Sequence, residues 1–374
     1  MCKCIESVLE TVCSCFKRTT SEKSIDKKLV KKDKSDKTLE TMSDKPVKID
    51  ESMTSEYITF DKTRYDDKFE LFRAVLKDYD INADDKIGKG SFGEVYKIRH
   101  KISGQTFALK VMKLKIENQF NSNRFNQLKN EVSALMKISH KNIIKIEKHL
   151  VLREIYCSLP TEGDLQNRLK TVYRTSRLTL TESQSKWYFI EMANALHFLH
   201  SMGLSDGDIK LENILITKKN DSKQVIKVTD FGSTRQTVAD NWLVKAKQAM
   251  ATLNYMAPQQ LRVYISVNLK RPDLLEKSLF SYNPIKSDVY ALGICLYRLL
   301  LYKRPFDFSV EQMDQLLDNM KTGFKGPENT VNHLSTDCLG LLYDLLEYNR
   351  NRRINMRTVI THKWIYNSPN LDRI

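Results

Sequence analysis

No apolar run in this 374-residue chain approaches the roughly 20 residues that a spanning helix needs, so a helical membrane span is excluded. Cysteine is scarce and badly placed for cross-linking. The seven cysteines cannot pair evenly, and Cys157, Cys295 and Cys338 are scattered through apolar context and read as buried free thiols. A disulfide framework is therefore excluded, and a reducing, cytoplasmic location is expected. No stripe of basic residues interleaves with aromatics, so nucleic acid is not an expected partner. There is no internal repeat. Position 2 is not glycine, which excludes N-myristoylation.

What remains is ordinary for a globular protein: 41% hydrophobic and 29% charged residues, enough chain for one large or two medium domains. The net charge of +15 suits nucleotide phosphates or an anionic membrane surface, and equally a well-solvated lysine-rich surface. Residues 1–18 carry Ile5, Val8, Leu9, Val12, Cys13 and Phe16 at helical spacing, followed by Lys17 and Arg18. Glu6 and Glu10 interrupt any secretory core, so a short amphipathic helix at a membrane surface fits better. Cys2, Cys4, Cys13 and Cys15 are candidates for acylation (palmitoylation), which would anchor the segment. Zinc is the rival, but the one-residue gaps are poor for a knuckle. Residues 19–63 are rich in Lys, Asp, Ser and Thr and read as a disordered basic linker. Residues 64–77 read as a helical extension that buries Phe69, Leu71, Phe72, Val75 and Leu76, and 367–374 as a tail.

From about Tyr79 the pattern turns strand-rich: YDINADDKIG, EVYKIRH and QTFALKVMKL, with a Ser103–Gly104 turn before the last. Later it turns helical, over 182–201, with Thr179 and Glu182 at capping-box spacing, and over about 287–302. Strands first and helices after is the order of a two-lobe α+β enzyme. Gly88, Gly90 and Gly93 in IGKGSFGEV make a turn whose amides can approach phosphates, and Ile87 and Val95 flank it to cover a flat ring; alone, the segment is equally a plain hairpin. Lys110 lies between Leu109 and Val111, where burial is costly without a partner. DGDIKLEN at Asp206–Asn213 precedes Asp230–Phe231–Gly232, with strand candidates at Ile214–Ile216 and Val225–Val228 between them. A hairpin with Asn213 at its entry and Asp230 at its exit would bring two hard oxygen ligands to one end, which suits magnesium.

In this order and spacing the motifs resemble the protein kinase family. The resemblance runs to about Tyr366 and implies a small β-rich N-lobe (78–158) and a larger helical C-lobe (159–366). It implies that Ile87, Gly88, Gly90, Gly93, Val95, Ala108, Lys110 and Leu215 bind ATP, with Glu131, upstream of an HPNI-like SHKNII, pairing with Lys110. It implies that Asn213 and Asp230 hold Mg2+, that Asp208 is the catalytic base, and that Lys210 neutralises the transferring phosphate. Thr252 of ATLNYMAPQ would bond to Asp208 and Lys210. Lys210 and Thr252 are similar to the serine/threonine branch, which implies a protein Ser/Thr hydroxyl as acceptor. Asp288 looks like the residue that ties down the catalytic loop, and Arg353 like the partner of the APE glutamate.

The chain departs from the family in several places. HRD reads Asp206–Gly207–Asp208, so the arginine that answers a loop phosphate is missing and activity independent of loop phosphorylation is expected. Asp206 adds a second carboxylate near Asp208, which would raise the base's pKa. APE reads Ala257–Pro258–Gln259, leaving a neutral bond to Arg353. The segment from Leu261 to Tyr282 is long and reads as a tolerated loop or a docking surface. Cys157 would be the gatekeeper and Ser158–Pro160 the hinge. Two functions follow: a serine/threonine kinase tethered to a cytoplasmic membrane face, or a pseudokinase acting as a membrane-tethered nucleotide-binding scaffold.

Overall fold

The computed structural model describes residues 78–80, 86–89, 93–112, 115–116, 119–120, 132, 135–150, 153–157, 161–219, 223–237, 244–245, 252–268, 281–306, 313–324 and 333–366. The expectations placed on residues 1–77, Gly90, Glu131, Ser158–Pro160 and 367–374 lie outside these residues.

The first lobe is an antiparallel sheet. Its strands are β1 (Tyr79–Asp80), β2 (Lys86–Lys89), β3 (Gly93–His100), β4 (Thr106–Met112), β5 (Ile146–Leu150) and β6 (Arg153–Cys157), ordered β1-β3-β4-β6-β5 with β2 beside β3. Strict alternation builds it. Tyr96 and Ile98 of β3 are buried while Lys97 and Arg99 are exposed, and Phe107 and Leu109 of β4 are buried beside half-buried Ala108 and Lys110. Val95 pairs directly with Lys110, and Lys97 with Ala108, so Val95, Ala108 and Lys110 share one face, opposite Tyr96 and Leu109. The β3–β4 connection turns at Gly104, whose φ is +67°.

The second lobe is helical. Helix α1 (Leu165–Ser176) is capped by Asp164, which accepts from the Asn167 amide at 2.8 Å. Helix α2 (Glu182–Ser201) begins with a capping box, but the pair is Thr181 and Gln184 rather than the expected Thr179 and Glu182. Glu182 is used elsewhere: its carboxylate accepts from Ser335 N and Oγ at 2.8 and 2.6 Å and from Trp364 Nε1 at 2.6 Å. Helix α3 (Pro258–Asn268) corrects the reading of a loop from Leu261 onward. Leu261 and Ile265 on one side and Val263 on the other are all buried, so tertiary packing, not a single apolar face, sustains the helix over Leu261–Asn268. Helix α4 (Pro284–Leu301) starts three residues before the expected 287, because Asn283 caps it and Pro284 takes the first turn. Helix α5 (Met313–Thr322) and helix α6 (Thr336–Leu345) follow. Helix α4 is buried on nearly every face, and a Cβ at Gly293 would lie 2.8 Å from Leu345 Cβ, so glycine sets the approach of α4 to α6.

Between the lobes lies a three-stranded antiparallel sheet of β7 (Thr161–Asp164), β8 (Ile214–Lys219) and β9 (Lys223–Val228), ordered β9-β8-β7. Ile214, Ile216, Ile226 and Val228 are buried in the same core as α2 and α4. The SHKNII segment fastens it: Val228 N donates to Asn142 O at 2.8 Å, and Ile144 N to Val228 O at 3.0 Å. Fully buried Asn142 also donates to Ile226 O and to Glu191. The hairpin that presents the polar site is thus held by core packing and backbone bonds together.

Candidate active site

The β8–β9 hairpin pairs Ile214 with Val228, which places Asn213 and Asp230 at one end, as expected. Thr229 N and Oγ1 both donate to Asn213 O, at 2.9 and 3.0 Å, and close that end. Asp230 takes φ +66°, an uncommon conformation for a residue with a side chain and one that aspartate tolerates better than most. Its Oδ1 accepts from Lys110 Nζ at 3.0 Å, across 120 residues of chain. Phe231, next in line, is fully buried and anchors the turn. Asn213 Nδ2 donates to Asp208 O at 3.1 Å. That bond fixes the amide and leaves Oδ1 as an outward acceptor.

Asp208, Lys210 and Thr252 form a closed net. Asp208 Oδ1 accepts from Thr252 N and Oγ1, both at 2.9 Å. Lys210 Nζ lies 2.5 Å from Asp208 Oδ2 and 3.0 Å from Thr252 Oγ1. All three residues are only partly buried, so the carboxylate is oriented and still accessible.

The loop rests on Asp288 of α4. This buried carboxylate accepts from Asp206 N at 2.8 Å, Gly207 N at 2.9 Å and His200 Nε2 at 3.0 Å. Gly207 has φ +86°, and a Cβ there would lie 2.6 Å from Ser233 O, so a larger residue at this position meets backbone. Asp206 is 1% exposed; its Oδ1 accepts from Asp208 N at 2.9 Å, while its buried Oδ2 has no hydrogen-bond partner. Burial first, and then the Asp288 carboxylate, push the Asp206 pKa well above the ordinary carboxylate value, against the opposing bond from the Asp208 amide.

Two further ties brace the net. Arg353, 1% exposed, donates to Gln259 Oε1 at 3.2 Å, Glu347 O at 2.8 Å and Lys286 O at 2.7 Å. Burial lowers its pKa to about 10, so carbonyls and one amide suffice to hold a charged guanidinium there. The Tyr255 hydroxyl donates to Glu212 at 3.0 Å and accepts from Leu211 N at 3.4 Å and from Arg298. Tyr255, His200 and Thr229 were not picked out by sequence spacing. Their partners are mostly distant in the chain, and the one available signal was Tyr255 within the TLNYMAP segment.

On the other side of the cleft, Val95, Ala108 and Lys110 share the β3–β4 face, and Gly88 pairs with Val95 across β2. Ile87 sits at an irregularity in that pairing and is 56% exposed. Ala108 from the first lobe and Leu215 from β8 both pack against the common core. Gly93 opens β3. The donor set fits a divalent metal ion: Asp230 would offer a carboxylate and Asn213 an amide oxygen, both hard ligands. Among the described residues, no helix is long and apolar enough to cross a membrane.

Residues 81–365 match the protein kinase domain family. The chain is 28% identical over 310 residues to an Aurora kinase of Candida glabrata, covering 82% of this chain and 75% of that protein. It is 31% identical over 296 residues to an Aurora kinase of Eremothecium gossypii, covering 78% and 70%. It is 29% identical over 335 residues to "Probable serine/threonine-protein kinase fhkA" of Dictyostelium discoideum, covering 85% of this chain and about half, 53%, of that protein.

Proposed function

Because the chain belongs to the protein kinase family, we propose that it transfers the γ-phosphate of MgATP to serine or threonine hydroxyls of proteins, with Asp208 as the base. The observation that carries this is the convergence of Lys110, Asp230, Asn213, Asp208, Lys210 and Thr252 on one cleft through bonds of 2.5–3.1 Å. Val95, Ala108 and Leu215 cover the adenine, and the spacing of Gly88, Gly90 and Gly93 in the sequence suits the approach of backbone amides to phosphates. Lys110 holds the α- and β-phosphates, while its contact with Asp230 sets where the carboxylate stands. Asn213 and Asp230 would hold the magnesium ion, which would offset charge on the phosphates.

Asp208 orients the acceptor hydroxyl and takes its proton, with Oδ1 held by Thr252 and Oδ2 by Lys210. Lys210 offsets the charge that gathers on the transferred group. A scaffold without chemistry has no need for the Asp208–Lys210–Thr252 net, so the structure favours the kinase over the pseudokinase. Incubation of the full chain with labelled MgATP and a mixture of Ser, Thr and Tyr peptides tests the reading. Label is expected on Ser and Thr; label confined to Tyr, or on the nucleotide alone, contradicts it.

We further propose that residues 1–18 tether the enzyme to a cytoplasmic membrane face through acylation of Cys2, Cys4, Cys13 and Cys15. Their clustering beside an apolar stripe and Lys17–Arg18 supports this. Replacing the four cysteines by serine is expected to move the protein from the membrane to the soluble fraction of cells; unchanged partition sinks the idea.

A further inference from the structure

Next to Thr252, Leu253, Ile294, Phe306, Leu316 and Met320 line a small, mostly apolar groove, and Arg304 lines it as well. Arg304 follows Tyr302, whose ring stacks on Tyr173 of α1 at 4.0 Å and 15°. That stack brings the C-terminal end of α4 beside the C-terminal end of α1. Helix α1 contains no acidic residue; Lys170 and Arg174 are exposed at i and i+4 on one face, and Arg177, exposed, caps the helix in a left-handed conformation. Lys303 and Arg304 are exposed next to them. None of these five cations forms an ion pair among the described residues.

Helix dipoles account for part of this, since cations favour helix C-termini. They do not account for Lys170 in mid-helix or for Arg304 on the wall of the groove. Glu212 is already answered: it accepts from Tyr255 and lies 3.8 Å from Arg298. Five exposed cations thus outnumber the exposed Asp318 of α5, the helix that supplies Leu316 and Met320, around a groove that begins one residue from the catalytic net.

We infer that this surface selects protein substrates with acidic residues flanking the Ser or Thr acceptor. The inference rests on the kinase reading for the position of the acceptor and adds the chemistry of its surroundings. An acidic flank gains from several exposed cations at once, while a basic flank is repelled by the same charges.

The experiment uses the full chain and two fluorescent peptides that share one serine, one flanked by Asp and Glu, the other by Lys and Arg. Binding is read by anisotropy at low and high salt, and label transfer from MgATP is read in parallel. Several exposed ion pairs, each worth a factor of about two to five, predict roughly tenfold tighter binding of the acidic peptide at low salt, with the preference shrinking as salt rises. Arg304→Glu and the double variant Lys170→Glu/Arg174→Glu are each expected to lower or invert the ratio between the two peptides. Because each variant is its own control for that ratio, a general loss of folding cannot mimic the result. Equal binding of both peptides, or a ratio untouched by both charge reversals, overturns the inference. So does a ratio left unchanged while the same variants lose binding to phosphatidylserine vesicles, which would make the surface a membrane contact. An acidic peptide that binds selectively but takes no label counts against the transfer reaction and leaves the acidic preference established.

Discussion

At the scale of the residue, the unusual positions are Asp206 and Gly207, and the structure gives each a physical role. Asp206 is buried beside the Asp288 carboxylate with one oxygen unpartnered, and burial first, then Asp288, push its pKa up in the fold. In the unfolded chain a carboxyl ionises near ~3.9. Above that pH the unfolded state has shed a proton that the folded state keeps, so stability falls as pH rises through the interval up to the raised folded pKa. An asparagine at this position would have no proton to lose. Asp206→Asn is therefore expected to be progressively more stable than the wild type as pH climbs from about 4 towards neutrality, with the difference vanishing in acid; thermal unfolding across that range reads it. A difference independent of pH would show that Asp206 is ionised in the fold. Gly207 answers to sterics: with φ +86° and Ser233 O at 2.6 Å from a would-be Cβ, Gly207→Arg is expected to cost roughly 1–3 kcal/mol in denaturant unfolding rather than to improve the enzyme. The roles of Asp208, Lys210 and Asn213 were legible in the sequence because their spacing is local. That of Asp206 was not, because its pKa is raised by tertiary burial and then by Asp288, 82 positions away.

At the scale of the element, periodicity located helices and strands, and side-chain competition set their ends. Both Thr179 and Thr181 stand ahead of α2 with an acidic or amide residue three positions on. Thr181 wins because Gln184 can return the bond, whereas Glu182 is drawn away to Ser335 and Trp364, contacts that no local pattern announces. Thr181→Ala is expected to destabilise by about 1 kcal/mol, and Thr179→Ala by less than about 0.5 kcal/mol, both from chemical unfolding. The reverse order would return the cap to Thr179. Helix α4 offers a sharper test of packing. Gly293→Ala puts a methyl 2.8 Å from Leu345 Cβ and is expected to cost roughly 1–3 kcal/mol. The length of α3 was missed for the same reason the cap was: Leu261, Val263 and Ile265 do not share one face, and only tertiary burial makes it helical.

At the scale of the whole molecule, the two lobes and the order of their motifs could be read directly, because each motif couples a turn or strand end to a residue type that phosphate or metal chemistry needs. Of the bracing between distant parts, the hold of Asp288 on the loop and the Arg353–Gln259 tie were implied by the resemblance and are present in the fold, whereas the Tyr255 hub emerges only from the fold. With glycine at 207, the catalytic loop offers no guanidinium to a phosphorylated segment. Phosphatase treatment is accordingly expected to leave most of the transferase activity, and complete loss would show that another group supplies the switch. The central claim is that Asp208 sits on an acceptor site facing ATP bound between Lys110 and Asp230. The most direct test is single-turnover transfer of labelled phosphate from MgATP to a serine peptide by the wild type and by Asp208→Asn, with nucleotide binding measured on both. We predict equal nucleotide affinity and a loss of transfer of at least about a hundredfold in the variant; equal transfer by the two proteins would contradict the account.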